Sequence, residues 1–127
     1  DELSKSYQPC FMKSGGCHAA IAFSRESEPR VLASAEDVGR HNAVDKVIGA
    51  LLLEGQLDTL DALLWVSGRA SFEVVQKALM AGFHALICVG APTSLAVELA
   101  RESRMTLVGF SQGAERHNLY AGALVGE

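Results

Sequence analysis

Apolar residues along this chain follow two patterns, short continuous runs and pairs at helical spacing. The runs are typical of strands that are buried on both faces of a sheet. The first two are separated by a polar segment that contains Pro29, which favours an antiparallel pair. The runs lie at residues 18–24, 31–35, 62–66, 86–89, 105–110 and, as a last short strand, 119–120.

Three stretches between the later runs carry apolar residues at helical spacing. The first stretch begins at Ala43, and its apolar residues recur at an i, i+4 spacing until Gly55. This spacing predicts a helix. Asn42 is the predicted N-cap, and Asp45 is expected to reach back towards it. The other two stripes are Phe72, Val75, Leu79 and Gly82 for the second helix, and Leu95, Ala96, Leu99 and Ala100 for the third.

Helices that alternate with buried strands predict an α/β domain. We expect a mixed, mostly parallel sheet with an antiparallel hairpin at its start and helices on both faces, which is a three-layer α/β/α sandwich. The 127 residues suit a single domain over residues 1–127, with a frayed or cut polar start at residues 1–9. Phe72, Phe83, Phe110 and Cys88 are expected to pack in its core.

Composition and charge narrow the classes of function. The 49% of hydrophobic and 20% of charged residues exclude a disordered chain, and the net charge of −4 disfavours non-specific binding to nucleic acid or anionic membranes. No apolar run reaches the roughly 18 residues of a membrane span, and no signal peptide begins at Asp1. The three cysteines form neither a CxxC pair nor a disulfide framework, so we expect a reducing, cytoplasmic location.

Three polar loops follow predicted strands, at residues 36–42, 67–71 and 91–94. Ligands of open α/β sheets bind outside the carboxyl ends of the strands, where helix N-termini also point. Arg40 and Arg69 suit bidentate contacts to phosphate, and Lys46 adds a point charge. A phosphorylated ligand therefore fits these loops, although a surface charge network that only holds the first loop is an equal alternative.

Small and hydroxyl residues of the same loops could contact a ligand. Gly39 and Gly68 allow close approach of the backbone, and Thr93 and Ser94 offer hydroxyls and helix-start amides. The alternative is that these residues only form turns and caps, as they do in most helices.

A histidine follows a flexible glycine pair directly before the first predicted strand. Gly15 and Gly16 could bring His18 to the same edge of the sheet, where it would serve as a general acid or base. Its alternative is a hydrogen-bonded structural role. Cys10, Cys17 and His18 lack the spacing of a zinc site, so no metal is predicted.

These motifs resemble one known family, the formate dehydrogenase accessory sulfurtransferases called FdhD. Residues 36–46, EDVGRHNAVDK, match its central signature. In family order they are followed by Ser-Gly-Arg at 67–69, Lys77, APTSLA at 91–96 and TLVGF at 106–110, and are preceded by Gly-Gly with His18. The resemblance spans residues 11–120, nearly the whole chain.

The resemblance implies a cytidine-deaminase-like core, a homodimer and a role in molybdenum cofactor maturation. Such proteins take persulfide sulfur from a cysteine desulfurase and pass it to the bis-guanine-dinucleotide molybdenum or tungsten cofactor, so that formate dehydrogenase becomes active. GDP would mimic that cofactor, and no nucleic acid or membrane is expected as a partner. The expected cofactor-binding residues are Gly16, His18, Gly39, Arg40, His41, Lys46, Gly68, Arg69, Thr93 and Ser94.

The cysteines depart from the family pattern. The sulfur-carrying CxxC loop, which lies upstream of Gly-Gly-x-His in the family, is absent, and Cys10 and Cys17 match neither its spacing nor its position. We therefore expect the family's upstream portion to be missing and this chain alone to hold no catalytic residue. Smaller departures are Ser111 and Gln112 in place of an arginine, and His117 in place of a phenylalanine.

Two other functions stay open. A non-catalytic platform would bind guanine nucleotide without accepting sulfur. A zinc deaminase requires His-x-Glu and Pro-Cys-x-x-Cys, whereas His18 is followed by two alanines and Cys10 lacks its second cysteine. Glu36 and Asp37 are expected to orient basic groups of the first loop rather than to contact a phosphate.

Overall fold

The computed structural model describes residues 16–25, 28–55, 62–112 and 116–122. The expected frayed start at residues 1–9 lies outside this part, and so does the side chain of Phe110.

Strands and helices alternate along the described chain as the hydrophobic pattern predicts. The strands are β1 (His18–Ser24), β2 (Val31–Asp37), β3 (Ala62–Val66), β4 (Ala85–Val89), β5 (Thr106–Gln112) and β6 (Arg116–Ala121). The helices are α1 (Arg40–Leu53), α2 (Phe72–Ala81) and α3 (Ser94–Glu102). Each predicted element is therefore present.

The six described strands form one mixed sheet in the order β2-β1-β3-β4-β5-β6. β3, β4 and β5 pair in parallel, and the other neighbouring strands pair antiparallel. Since β1 runs opposite to both β2 and β3, the strand β2 points the same way as the three parallel strands. The carboxyl ends of β2, β3, β4 and β5 consequently lie at one edge of the sheet, which we call the carboxyl edge.

The main core lies between this sheet and the three helices. Large side chains in it are fully buried, and each contributes about 1.5–3 kcal/mol relative to an exposed position. They include Leu64, Leu86 and Leu107 from the sheet, Val44, Val47 and Leu51 from α1, and Val74 and Val75 from α2. Ala96 and Ala100 of α3 belong to the same cluster, so all three helices lie on one face.

A smaller buried cluster covers the other face of the sheet, with Ala19, Ile21 and Trp65 at its centre. The predicted α/β class and the mixed sheet are confirmed. The second helical layer required by a three-layer sandwich is not among the described residues, and it stays a prediction. None of the described helices has both the length and the apolarity to cross a bilayer.

The predicted core is confirmed at Phe83 and wrong in two first turns. Phe83 is 3% exposed, as expected, whereas Phe72 is 37% and Leu95 60% exposed. These two residues lie in the first turns of α2 and α3 at the carboxyl edge, so their side chains lie beyond the end of the strands. Val74 and Ala96 occupy the first buried positions instead.

Candidate functional site

The helix α1 begins at Arg40 rather than at Ala43, and Gly39 is its N-cap. The prediction of Asn42 as the N-cap is therefore wrong, because the spacing of apolar residues does not locate a first turn that is polar. Gly39 has no side chain to cap the helix, and its own N–H donates to Asp37 Oδ1 at 2.9 Å. As a result, Arg40 and His41 project from the first helical turn and not from a loop.

Asp37 organises the entry into this helix. Its Oδ2 lies 2.8 Å from Lys46 Nζ, and its Oδ1 accepts a hydrogen bond from Asn42 Nδ2 at 3.3 Å. Lys46 Nζ also donates to the carbonyl oxygen of Glu36 at 3.1 Å. The bond from Lys46 and the N–H of Gly39 together lower the pKa of Asp37 from 3.8 to about 2. Asp37 thus orients Lys46, as the sequence predicts.

Asp37→Asn is expected to lower the stability of the protein at neutral pH, because the amide loses the ion pair with Lys46. A lowered pKa stabilises the folded state above the unfolded value of 3.8, and this contribution is lost as the pH falls towards about 2. The difference in melting temperature between wild type and Asp37→Asn should therefore narrow over that interval. Glu98→Gln, at an exposed residue of α3, is the control. Parallel pH profiles for wild type and Asp37→Asn would contradict the assignment.

Asp45 does not reach back towards Asn42, which corrects the predicted cap. Its Oδ1 instead lies 2.7 Å from Lys77 Nζ on α2. Both side chains are partly exposed, so the pair contributes little to stability. It does join α1 to α2 about one turn beyond His41.

The loop between β3 and α2 is tied to the start of β1. Ser67 Oγ accepts a hydrogen bond from the N–H of Ala19 at 2.8 Å, and the N–H of Ser67 donates to the oxygen of Ala19 at 3.0 Å. This role of Ser67 was missed by the sequence reasoning. A serine directly after a continuous apolar run is the signal that marks it.

Gly68 brings two predicted site residues together. A Cβ at Gly68 would lie 3.2 Å from His18 Nδ1 and 3.9 Å from Arg40 Cδ, so both side chains border the glycine. We call His18, Arg40 and Gly68 the Gly68 cluster. His18 is half-buried and Arg40 is exposed. Within the described part of the chain, neither the imidazole nor the guanidinium has a hydrogen bond or an ion pair.

The next residues connect this loop to the one after β4. Arg69 is exposed, and its Nε donates to the oxygen of Ala91 at 3.0 Å. The N–H of Thr93 donates to the oxygen of Ala70 at 3.0 Å. Thr93 Oγ1 then caps α3 by accepting from the N–H of Ala96 at 3.2 Å. The expected convergence of the polar loops is therefore present.

The structure distributes the ten predicted residues unevenly over the carboxyl edge. His18 and Arg40 both border Gly68, and Arg69 and Thr93 lie in the joined loops. Ser94 and Gly16 are exposed near them, at the start of α3 and before β1. His41 bonds to Ser71, whereas Gly39 and Lys46 both bond to Asp37.

The two described cysteines are not exposed thiols. Cys88 is fully buried, its Sγ donates to the oxygen of Gly90 at 3.7 Å, and burial raises its pKa, which makes it a poor nucleophile. Its predicted core position is confirmed. Cys17 is disulfide-bonded, which differs from the expectation of reduced cysteines, because an odd cysteine count does not prevent one bond. Among the described residues, no group of three or more His, Cys, Asp or Glu could hold a metal ion.

Comparisons with known proteins agree with the fold and with the motifs at the carboxyl edge. The family model of the FdhD/NarQ family matches residues 2–124. A sulfur carrier protein FdhD from Anaeromyxobacter sp. (strain K) is 52% identical over 126 residues, which are 94% of this chain and 43% of that protein. A sulfur carrier protein FdhD from Nocardia farcinica is 55% identical over 116 residues, which are 91% of this chain and 40% of that protein.

A solved structure has the same fold. It is a crystal structure from Desulfotalea psychrophila, of a protein provisionally assigned as a formate dehydrogenase accessory protein. The TM-score is 0.83 at 30% identity, over 95% of this chain and 50% of the other. The chain thus spans less than half the length of these two curated relatives. Since the match runs through every motif that lines the carboxyl edge, the chain belongs to the FdhD/NarQ family.

Proposed function

We propose that this chain is the cofactor-binding part of a sulfur carrier that activates formate dehydrogenase. Its ligand would be the bis-guanine-dinucleotide molybdenum or tungsten cofactor, bound transiently as a substrate. The observation that supports this most is the Gly68 cluster, in which His18 and Arg40 border a glycine and have no hydrogen bond or ion pair to another described residue. Arg69 lies next to them, and among the described residues its side chain bonds only through Nε, to the oxygen of Ala91.

The residues at this edge fit the phosphates of such a ligand. The guanidinium of Arg40 is not neutralised by a described carboxylate, and it suits bidentate contact with phosphate. The helix α1 starts without a side-chain cap, so its first N–H groups lack helical partners and favour an anion. Gly68 has no Cβ and therefore leaves space between the two side chains.

Apolar side chains at the same edge suit the flat face of a guanine. Val38 follows β2 and is 77% exposed, while Phe72 and Leu95 are exposed at the starts of α2 and α3. Exposed apolar groups beside cationic ones are typical of sites for ligands with both an anionic and an aromatic part.

We propose further that the sulfur travels on a CxxC pair of the family type, which these 127 residues do not contain. Cys17 is already bonded and Cys88 is buried, so neither offers a thiolate to a cysteine desulfurase. The cofactor, when bound, supplies the metal that accepts the sulfur. The residues described here would bind its phosphates and orient it. The homodimer that the family resemblance implies is part of this proposal. So is a cytoplasmic location, although the bonded Cys17 removes the argument for it from reduced cysteines.

GDP is expected to bind the chain in a calorimetric titration, and Arg69→Ala or Arg40→Ala should weaken it. Loss of one charge-assisted hydrogen bond costs about 1.5–3 kcal/mol, which corresponds to about 10–100-fold in Kd, and we expect the lower end for each single variant. Binding should also weaken between low and moderate salt, because the contacts are ionic.

Arg104→Ala is the matched control, since Arg104 is exposed and precedes β5 at the opposite edge of the sheet. It removes the same charge and should leave the Kd unchanged. GDP binding that is insensitive to both Arg40→Ala and Arg69→Ala would place the site elsewhere. Binding without acceptance of sulfur from a desulfurase would identify the chain as a platform.

A further inference from the structure

We propose that His41 is a positioning residue that acts through Ser71, rather than a ligand contact like its neighbour Arg40. This inference rests on the proposed function, because the quantity it is expected to change is the affinity of the carboxyl edge for a guanine nucleotide. Arg40 and His41, which are adjacent in the motif at 36–46, would then have different roles.

The side chain of His41 is engaged inside the protein. It is half-buried, and its Nε2 lies 3.4 Å from Ser71 Oγ. Ser71 is the N-cap of α2, and its Oγ accepts from the N–H of Val74, also at 3.4 Å. A hydroxyl has one proton and two lone pairs, so Ser71 can serve both groups at once, whichever tautomer His41 adopts.

Besides the bond from Arg69 Nε to the oxygen of Ala91, the loop at 67–71 is held at three places. Ser67 ties its start to β1, and Ala70 ties its centre to Thr93. The bond between His41 and Ser71 ties its end to α1. Because Gly68 and Arg69 lie within this loop, the distance between them and Arg40 on α1 depends on that third attachment.

Arg40 differs from His41 in each of these respects. Its guanidinium is exposed and has no hydrogen bond or ion pair within the described part of the chain, while its Cδ borders Gly68. Arg40 can therefore turn towards an anion without breaking a hydrogen bond or ion pair to a described residue. His41 could do so only by releasing Ser71.

A double-mutant cycle in GDP binding separates the two roles. His41→Ala should raise the Kd about three- to tenfold, as expected for one indirect contact. If His41 acts through Ser71, the same substitution in a Ser71→Ala background should have almost no further effect. The loss of the α2 cap is common to both Ser71→Ala proteins and cancels in the cycle. His41→Gln, which keeps a hydrogen-bonding group of similar reach, should restore most of the affinity.

Amide hydrogen exchange provides a readout that does not depend on GDP. His41→Ala should speed exchange of the Val74 N–H several-fold, since Ser71 then loses one of the bonds that orient its hydroxyl. Asp45→Ala, which breaks the ion pair between α1 and α2, is the control and should leave Val74 unchanged.

The two measurements test the positioning role of His41 separately from the proposed function. Equal losses from His41→Ala in the wild-type and Ser71→Ala backgrounds, with unchanged exchange at Val74, would overturn the positioning role while GDP binding itself stands. If the chain binds no GDP but His41→Ala speeds exchange at Val74, the proposed function fails and the positioning of the loop stands.

Discussion

Gly109→Ala is expected to destabilise the protein by about 3 kcal/mol, at the upper end of the range for overpacked sites. A Cβ at this position in β5 would lie 2.6 Å from the carbonyl oxygen of Gly90 and 3.0 Å from Tyr120 Cε2. The first of these atoms belongs to the backbone, so it cannot move out of the way by a rotamer change. The loop at 90–93 must shift as a whole.

The matched control for this substitution is Gly49→Ala. Gly49 lies inside α1, and a Cβ there meets nothing within 4 Å. Alanine should stabilise this helix by about 0.5–1 kcal/mol relative to glycine. Urea or thermal unfolding of the two variants should therefore give changes of opposite sign. Equal stability of Gly109→Ala and wild type would show that the loop at 90–93 does not pack over β5.

This packing also links stability to the candidate site. Thr93 belongs to the loop that crosses Gly109, and its N–H holds Ala70 in the neighbouring loop. A shift of the Gly90 carbonyl would therefore displace both loops. For this reason, Gly109→Ala should lower the GDP affinity as well as the stability, whereas Gly49→Ala should change only the stability.

The fold is largely predictable from the sequence because its central strands consist of continuous runs of apolar residues. The run at 62–66 coincides with β3, and the run at 86–89 falls within β4. Apart from the exposed Val89 at the end of β4, both strands are largely buried on two faces, which favours apolar residues along them, and the bounding glycine or serine marks the end. The pattern is less informative at the edge strand β2, which continues through Glu36 and Asp37 because edge strands tolerate polar residues.

Helix starts were harder to predict than helix interiors. Apolar periodicity locates Val44, Val47 and Leu51 correctly, since these residues face the sheet. It is silent about Arg40, His41 and Asn42, which form a polar first turn. Conversely, it assigns Phe72 and Leu95 to the core although no strand lies beneath a first turn at the carboxyl edge.

The members of the candidate site could be predicted, but not their contacts. The rule that ligands bind at the carboxyl ends of strands places the three loops at one edge of the sheet, and the structure joins them there by hydrogen bonds. That a ligand binds to them stays a prediction. The meeting of His18 with Gly68 depends on β1 inserting between β2 and β3, which no local pattern encodes. The engagement of Lys46 by Asp37 likewise depends on where α1 begins.

Gly68→Val is expected to reduce the affinity for GDP by about 10–100-fold, equivalent to the loss of one charge-assisted contact of about 1.5–3 kcal/mol. Gly68 does not have a positive φ, so valine fits the backbone, and the effect comes from its side chain. The Cβ lies 3.2 Å from His18 Nδ1, and the branched methyl groups extend into the space bordered by Arg40.

The effect should grow with the size of the side chain. Gly68→Ala requires the half-buried ring of His18 to move only by a few tenths of an ångström and should weaken binding a few-fold. Gly49→Val adds the same valine to α1 where its Cβ is unobstructed, and should leave binding unchanged. Thermal melts of all three variants would verify that each is folded.

The graded series separates a ligand site from a purely structural cluster. If His18 and Arg40 only packed against Gly68, enlarging residue 68 would lower the melting temperature and leave the Kd of the folded protein unchanged. If they bind phosphate, the Kd should rise from glycine to alanine to valine while the melting temperature changes little, because Arg40 is exposed and His18 only half-buried. If the Gly68→Val protein is folded and binds GDP as tightly as wild type, the Gly68 cluster is not part of the GDP site.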